Sequence, residues 1–144
     1  MEACGSSLPA KMLFGTLEKL YNFFSTSRKR SDILQDMQKE ANLGQLHRPQ
    51  RISTTRWWSH QKSLDTVFFV QSGKLYDCLR DALEHCLAPE HSKETVTDAE
   101  ALLQKISCFE IVITARLLHK ISTIIDPLSL YLQCSLKGLT FQQQ

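Results

Sequence analysis

The stretch from Thr97 to Ile124, TDAEALLQKISCFEIVITARLLHKISTI, decides the fold class. Ala99, Leu102, Leu103, Ile106, Phe109, Ile113, Leu117, Ile121 and Ile124 recur at three- and four-residue spacing. That is the period of one face of an α-helix, sustained for about seven turns. Thr97 and Glu100 stand at capping-box spacing and predict the start of the helix. Pro127 predicts its end, with Asp126 capping a short last helix over Leu128 to Leu136. A helix this long and this apolar on one side requires other helices to pack against it.

The rest of the chain supplies them. Leu13, Leu17, Leu20, Tyr21 and Phe24 form one stripe over Lys11 to Phe24. Ser25, Thr26 and Ser27 interrupt it and suit the cap of a second helix over Arg28 to Leu43, with Ile33, Leu34, Met37 and Ala41 on its apolar face and Gly44 at its stop. Pro49 forbids a helix across residues 44–55, where Gln50 to Thr55 reads as a linker or at most one short strand. A third helical stretch runs from Trp57 to Leu87. Leu64, Val67, Phe68 and Gln71 share one face, as do Leu75, Leu79, Leu83 and Leu87, with a kink at Gly73 and an end at Pro89. The expected class is mainly α and bundle-like.

Composition agrees with a folded chain. The 144 residues are 42% hydrophobic and 22% charged, and the net charge is +2, ordinary values for a globular domain. So weak a basic balance does not point to nucleic acid by itself. The five cysteines form no C-x-x-C pair, and reduced, mostly buried thiols are expected. No apolar run approaches the roughly 20 residues of a membrane span, so no membrane partner is expected.

No local catalytic motif is present: no glycine-rich phosphate loop, no G-x-S-x-G and no H-E-x-x-H. Asp32, Asp36, Glu40, Asp77, Asp81 and Glu84 alternate with lysine and arginine, which reads as solvated helix faces rather than the converging carboxylates of a two-metal site. Cys78, His85, Cys86 and His91 lie within fourteen residues, but structural zinc sites begin with ligands two to four residues apart. The two cysteines read as core, and neither a metal nor a cofactor is expected.

The strongest local feature is Thr54-Thr55-Arg56-Trp57-Trp58, with Arg48 and Arg51 before it and His60 and Lys62 after it. An aromatic among cations can stack on a base while the cations meet phosphate. The same residues suit a plainer role, one tryptophan anchoring a helix start and the other covering it. The run Ser27-Arg28-Lys29-Arg30 can touch phosphate or serve as a weak nuclear-import signal, and equally suits a solvated helix start.

Several of these segments, taken in order, resemble hAT-type transposases, in the branch that includes the zinc finger MYM-type proteins. The residues are Leu13 to Ser25 (LFGTLEKLYNFFS), the basic Ser27 to Arg30, the Thr55-Arg56-Trp57 signature, and Asp98 through Phe109 to Leu128-Ser129-Leu130-Tyr131-Leu132-Gln133. The resemblance implies a ribonuclease-H-like core split by an all-helical insertion, with residues 1–55 from the core, residues 56–144 from the insertion, and Met1 inside an ancestral reading frame. The family's catalytic carboxylates fall outside the matched part, so it implies no catalytic residue and no enzyme. It gives Trp57 and Arg56 a place at a DNA end; Arg51 and Lys62, from the cations that flank the tryptophans, are the further expected contacts. Thr54 and Ser31 depart from the branch, which has aspartate and tryptophan there. The implied protein is a non-catalytic, transposase-derived fragment, nuclear by family and small enough to diffuse through the cytoplasm. It retains weak DNA binding or, alternatively, serves as a helical protein-interaction module, binding a protein partner or itself through exposed apolar helix faces. On this view the first 55 residues, deprived of their strands, are less ordered than residues 97–125.

Overall fold

The structure, a computed structural model, describes the backbone of residues 8–53 and 57–141, and the side chains of 8–53 and 59–138. Thr54, Thr55 and Arg56, and the side chains of Trp57 and Trp58, lie outside the described residues. Among the described residues there are six α-helices and one short 3-10 turn: α1 (Leu8–Ser25), α2 (Arg28–Glu40), α3 (Trp57–Phe68), the 3-10 turn (Val70–Gly73), α4 (Lys74–His85), α5 (Lys93–Ile106) and α6 (Phe109–Phe141). The chain is mainly α as expected, and there is no strand among the described residues.

α1 lies at the centre and packs against α2, α3, α5 and α6. Its stripe is the one the sequence announces: Leu13, Leu17, Leu20, Phe23 and Phe24 are all buried. α4 closes the other side against α2, α3 and α5, burying Leu75, Cys78, Leu79, Ala82, Leu83 and Cys86. One hydrophobic cluster joins these residues to Leu34, Leu43, Leu64, Val67, Ala99, Leu102, Ile106, Ile111 and Ala115. The first 55 residues therefore supply much of the core.

Local chemistry explains most helix ends. Ser27 caps α2 by accepting from the Arg30 N–H, as the sequence suggests. α2 stops at Glu40, earlier than expected, because Asn42 takes the left-handed conformation (φ 55°) assigned to Gly44; asparagine tolerates that region well. The kink at Gly73 is a full break: Gln71, Ser72 and Gly73 all have positive φ. This separates α3 from α4, so Gln71 belongs to no α-helical face.

The deciding stretch differs most. Its helix starts at Lys93, capped by Ser92, whose hydroxyl accepts from the Thr95 N–H. Thr97 sits inside it and donates back to the Lys93 carbonyl. The apolar run then breaks at Ser107 and Cys108 into α5 and α6. In an unbroken helix the Ile106 carbonyl would bond to the N–H four residues on; here Tyr76 Oη donates to it at 2.7 Å. A side chain on α4 thus satisfies the group freed by the break. The break also shifts the buried face: after Ile106 the buried positions are Ile111, Ala115, Leu118 and Ser122. Phe109, Ile113, Leu117, Ile121 and Ile124, expected in the core, point to solvent at 42–77% exposure.

Pro127 does not end α6, which runs through it for 33 residues, a rod of about 50 Å. Proline in a helix leaves the carbonyl four residues before it without its donor. That carbonyl belongs to Thr123, which is exposed, as is Pro127, so the freed carbonyl lies where solvent reaches it.

Candidate functional site

Three arrangements hold the chemistry of the chain. The first is the approach to α3. Gln38 on α2 is fully buried, donates through Nε2 to the His47 carbonyl and accepts from the His47 N–H, both at 2.7 Å. One amide thereby fixes the loop after α2, and Pro49 is buried behind it. Ser63 on α3 donates to the Gln50 carbonyl. The Ser59 hydroxyl accepts from the Ser53 N–H at 2.8 Å and donates to the Ser53 carbonyl at 3.1 Å. The segment carrying Arg51 is thus laced to the helix carrying Lys62, and both side chains are exposed. Of the other two residues expected to meet nucleic acid, Trp57 opens α3 with its side chain outside the described residues, and Arg56 lies outside them altogether. Arg30 of the basic run is taken up by packing: its guanidinium lies 4.3 Å from the Phe23 ring centroid, and Nη2 donates to Thr26 Oγ1. Arg28 and Lys29 stay exposed.

The second arrangement is α6. Its inner side meets α3 along an antiparallel seam. Gln61 Nε2 donates to Asp126 Oδ2 at 2.6 Å, Asp65 Oδ1 and His119 Nδ1 lie 2.8 Å apart, and Phe69 stacks on the His119 ring at 3.8 Å. Gln61 and Asp65 are one turn apart on α3, and Phe69 follows just past its end with its N–H on the Asp65 carbonyl, so a single line of side chains holds α6. Its outer side carries Phe109, Ile113, Leu117, Ile121, Ile124, Leu128 and Tyr131, all exposed. From Leu117 onward these follow a four-three spacing, the seam of paired helices. Phe109, Ile113, Leu117, Ile121 and Ile124 of this row are the ones the apolar period places in the core.

The third is the turn between α4 and α5. His85, Glu90 and His91 each bring a ligand atom within 4.8 Å of the others. Glu90 was not in the sequence set, and Cys78 and Cys86 leave it: both are buried in the core. Burial pushes the Cys78 thiol above the ordinary cysteine range, helped by Asp81 and Asp77. Burial likewise raises Cys86, against Arg30 and Lys29, which pull it down.

The acidic residues behave as expected. Asp32, Asp36, Glu40, Asp77, Asp81 and Glu84 are all exposed, with Asp36 beside Lys39 and Glu84 beside Arg80. A groove of about 480 Å³ along α1 and α5 brings Lys19, Arg30, Glu94, Asp98 and Lys105 together. The neighbouring Lys19 ammonium disfavours a second positive charge and holds the Lys105 pKa below its ordinary value. Both signs of charge line this groove, so it favours no single class of ion.

No helix among the described residues is long and apolar enough to cross a membrane. Comparison with protein-family models, with curated proteins and with solved structures finds no match to this chain.

Proposed function

We propose that this chain is a non-catalytic helical interaction module that pairs with a second copy of itself along the outer face of α6. The observation that carries the reading is the exposed stripe from Phe109 to Tyr131. Scattered exposed apolar residues are ordinary, but a contiguous row on one face marks an association surface. Burying seven such half-exposed side chains removes roughly 250–500 Å² of apolar surface per copy, taking about 60–120 Å² for each fully buried aliphatic residue. A standard interface buries about 800 Å² per partner, a little over half of it apolar, so the stripe is of the size one stable pairing needs. The four-three spacing from Leu117 to Tyr131 lets the same row serve both partners, as a two-fold interface requires. Transposase ancestry belongs to the same proposal: a helix from the all-helical insertion of a larger protein retains an apolar face that its former neighbours covered.

The test is sedimentation of the full chain across a concentration series, beside Leu117→Glu and Leu128→Glu. Both positions are exposed in the single chain, so the variants keep its helicity. The expected result is a concentration-dependent dimer that both variants abolish, with little response to salt. A chain that stays monomeric at about 100 μM, some hundredfold above a micromolar Kd, overturns the reading, as does a dimer indifferent to both substitutions.

A second reading, nuclear nucleic-acid binding through Arg51, Arg56, Trp57 and Lys62, is favoured by the exposed Arg51 held against α3 beside Lys62. Its signature is the opposite: binding of hairpin or single-stranded DNA that weakens steeply with salt and drops in Trp57→Ala. DNA affinity absent at low salt removes it.

A further inference from the structure

We propose that His85, Glu90 and His91 form a binding site for one divalent transition-metal ion, zinc by the character of its donors, which staples the turn between α4 and α5. This rests on none of the interaction reading above. His85 is the last residue of α4, and Glu90 and His91 end the turn that precedes the Ser92 cap of α5. Successive backbone bonds fold that turn tightly: Leu87 N–H to the Glu84 carbonyl, Ala88 N–H to His85, and His91 N–H to Ala88. They bring the ring centroids of His85 and His91 to 6.0 Å, with the planes at 72°.

A second observation points to a ligand. The His91 side chain is only 5% exposed, and its buried Nε2 has no hydrogen-bond partner. The nearest Glu90 oxygen is at 3.8 Å, outside hydrogen-bond reach. Buried polar atoms are almost always satisfied, and an orphan calls for an explanation such as an absent ion. The ligand atoms of the three residues lie within 4.8 Å of one another. Tetrahedral zinc with bonds of about 2.0–2.1 Å needs them about 3.3–3.5 Å apart. The remaining movement falls to His85 and Glu90, which are exposed, since the His91 side chain is buried.

Two imidazoles and a carboxylate are the donors zinc accepts, with water at the fourth position. The carboxylate offsets one of the ion's two charges. The carbonyl end of α4, whose last residue is a ligand, favours a cation. The ion then ties the end of α4 to the turn that starts α5.

The experiment titrates the full chain with Zn²⁺ by calorimetry and with Co²⁺ by absorption, alongside His85→Ala, Glu90→Gln and His91→Asn, with His47→Ala as control. The expected result is one ion per chain, a cobalt spectrum with d–d bands and no thiolate charge-transfer band, and a melting temperature raised by zinc. Each ligand variant weakens affinity at least tenfold, since even losing an outer partner of a ligand costs 10–100-fold. The control leaves affinity unchanged. His85→Ala and Glu90→Gln alter exposed side chains and keep the fold, so their result stands even where His91→Asn is unstable. No stoichiometric binding, binding unaffected by His85→Ala and Glu90→Gln, or a thiolate band in the cobalt spectrum overturns the proposal.

Discussion

Gln38 does with a side chain what strand neighbours do with backbone: it pairs with both polar groups of His47. Replacing it with leucine keeps the bulk and leaves an N–H and a carbonyl without partners. Each stranded group costs about 1–3 kcal/mol where water cannot reach it. Since His47 is half-buried, we expect Gln38→Leu to lower stability by about 2 kcal/mol, as a shifted urea midpoint with an unchanged slope. An unchanged midpoint would mean the loop is held by Pro49 alone. Single residues were also where the sequence was hardest to read. Gln38 stands among charged neighbours and gives no signal of burial. Ser27 was legible as a cap because it interrupts one apolar stripe before the next begins. Ser92 was not, because Thr97 and Glu100 offer the same capping chemistry one turn later. His85 and His91 were noticed but grouped with Cys78 and Cys86, since separation along the chain says nothing of which side chains a tight turn brings together.

Helices with clear punctuation were legible as elements. α1 and α2 sit where the apolar stripes and serines place them, and the breaks around Gly73 and Pro89 separate α3, α4 and α5. The join of α5 to α6 was not legible. No glycine or proline marks Ser107 and Cys108, the apolar period continues across them, and the group that stabilises the break, Tyr76, lies 30 residues away. Pro127 misled in the other direction, because proline ends a helix only where its freed carbonyl finds no water. Its effect is testable. Pro127→Ala restores the missing bond and removes the ring clash, worth up to about 3 kcal/mol in a helix interior. Because residues 124–138 are largely exposed, the gain is local: amide exchange slows on both sides of residue 127 while the midpoint of global unfolding barely moves. Unchanged exchange there would mean the distal turns are held by contacts rather than by their own backbone bonds.

Across the whole molecule, burial ranks the helices. α1 and α4 hold the most deeply buried side chains, and the distal part of α6 holds none among the described residues beyond Ser122. Native-state hydrogen exchange should follow that order: slowest in α1 and α4, intermediate in α5 and the proximal half of α6, fastest beyond residue 124. Equal protection of residues 8–25 and 126–138 in the monomer would contradict this packing. The sequence reading reached the mainly helical class because that follows from period and composition. The lower order expected of the first 55 residues rests on strands that no described residue forms, and native-state exchange is its test.

The central position of α1 bears on synthesis. It leaves the ribosome first, yet two of the helices that cover it, α5 and α6, are encoded some 70 to 100 residues later. At about 5–20 residues per second, its apolar stripe stays uncovered for roughly 5–20 s on each nascent chain. During that interval the side of α1 that α5 and α6 later cover stays open to other apolar surfaces, and the synthesis of α6 ends that exposure.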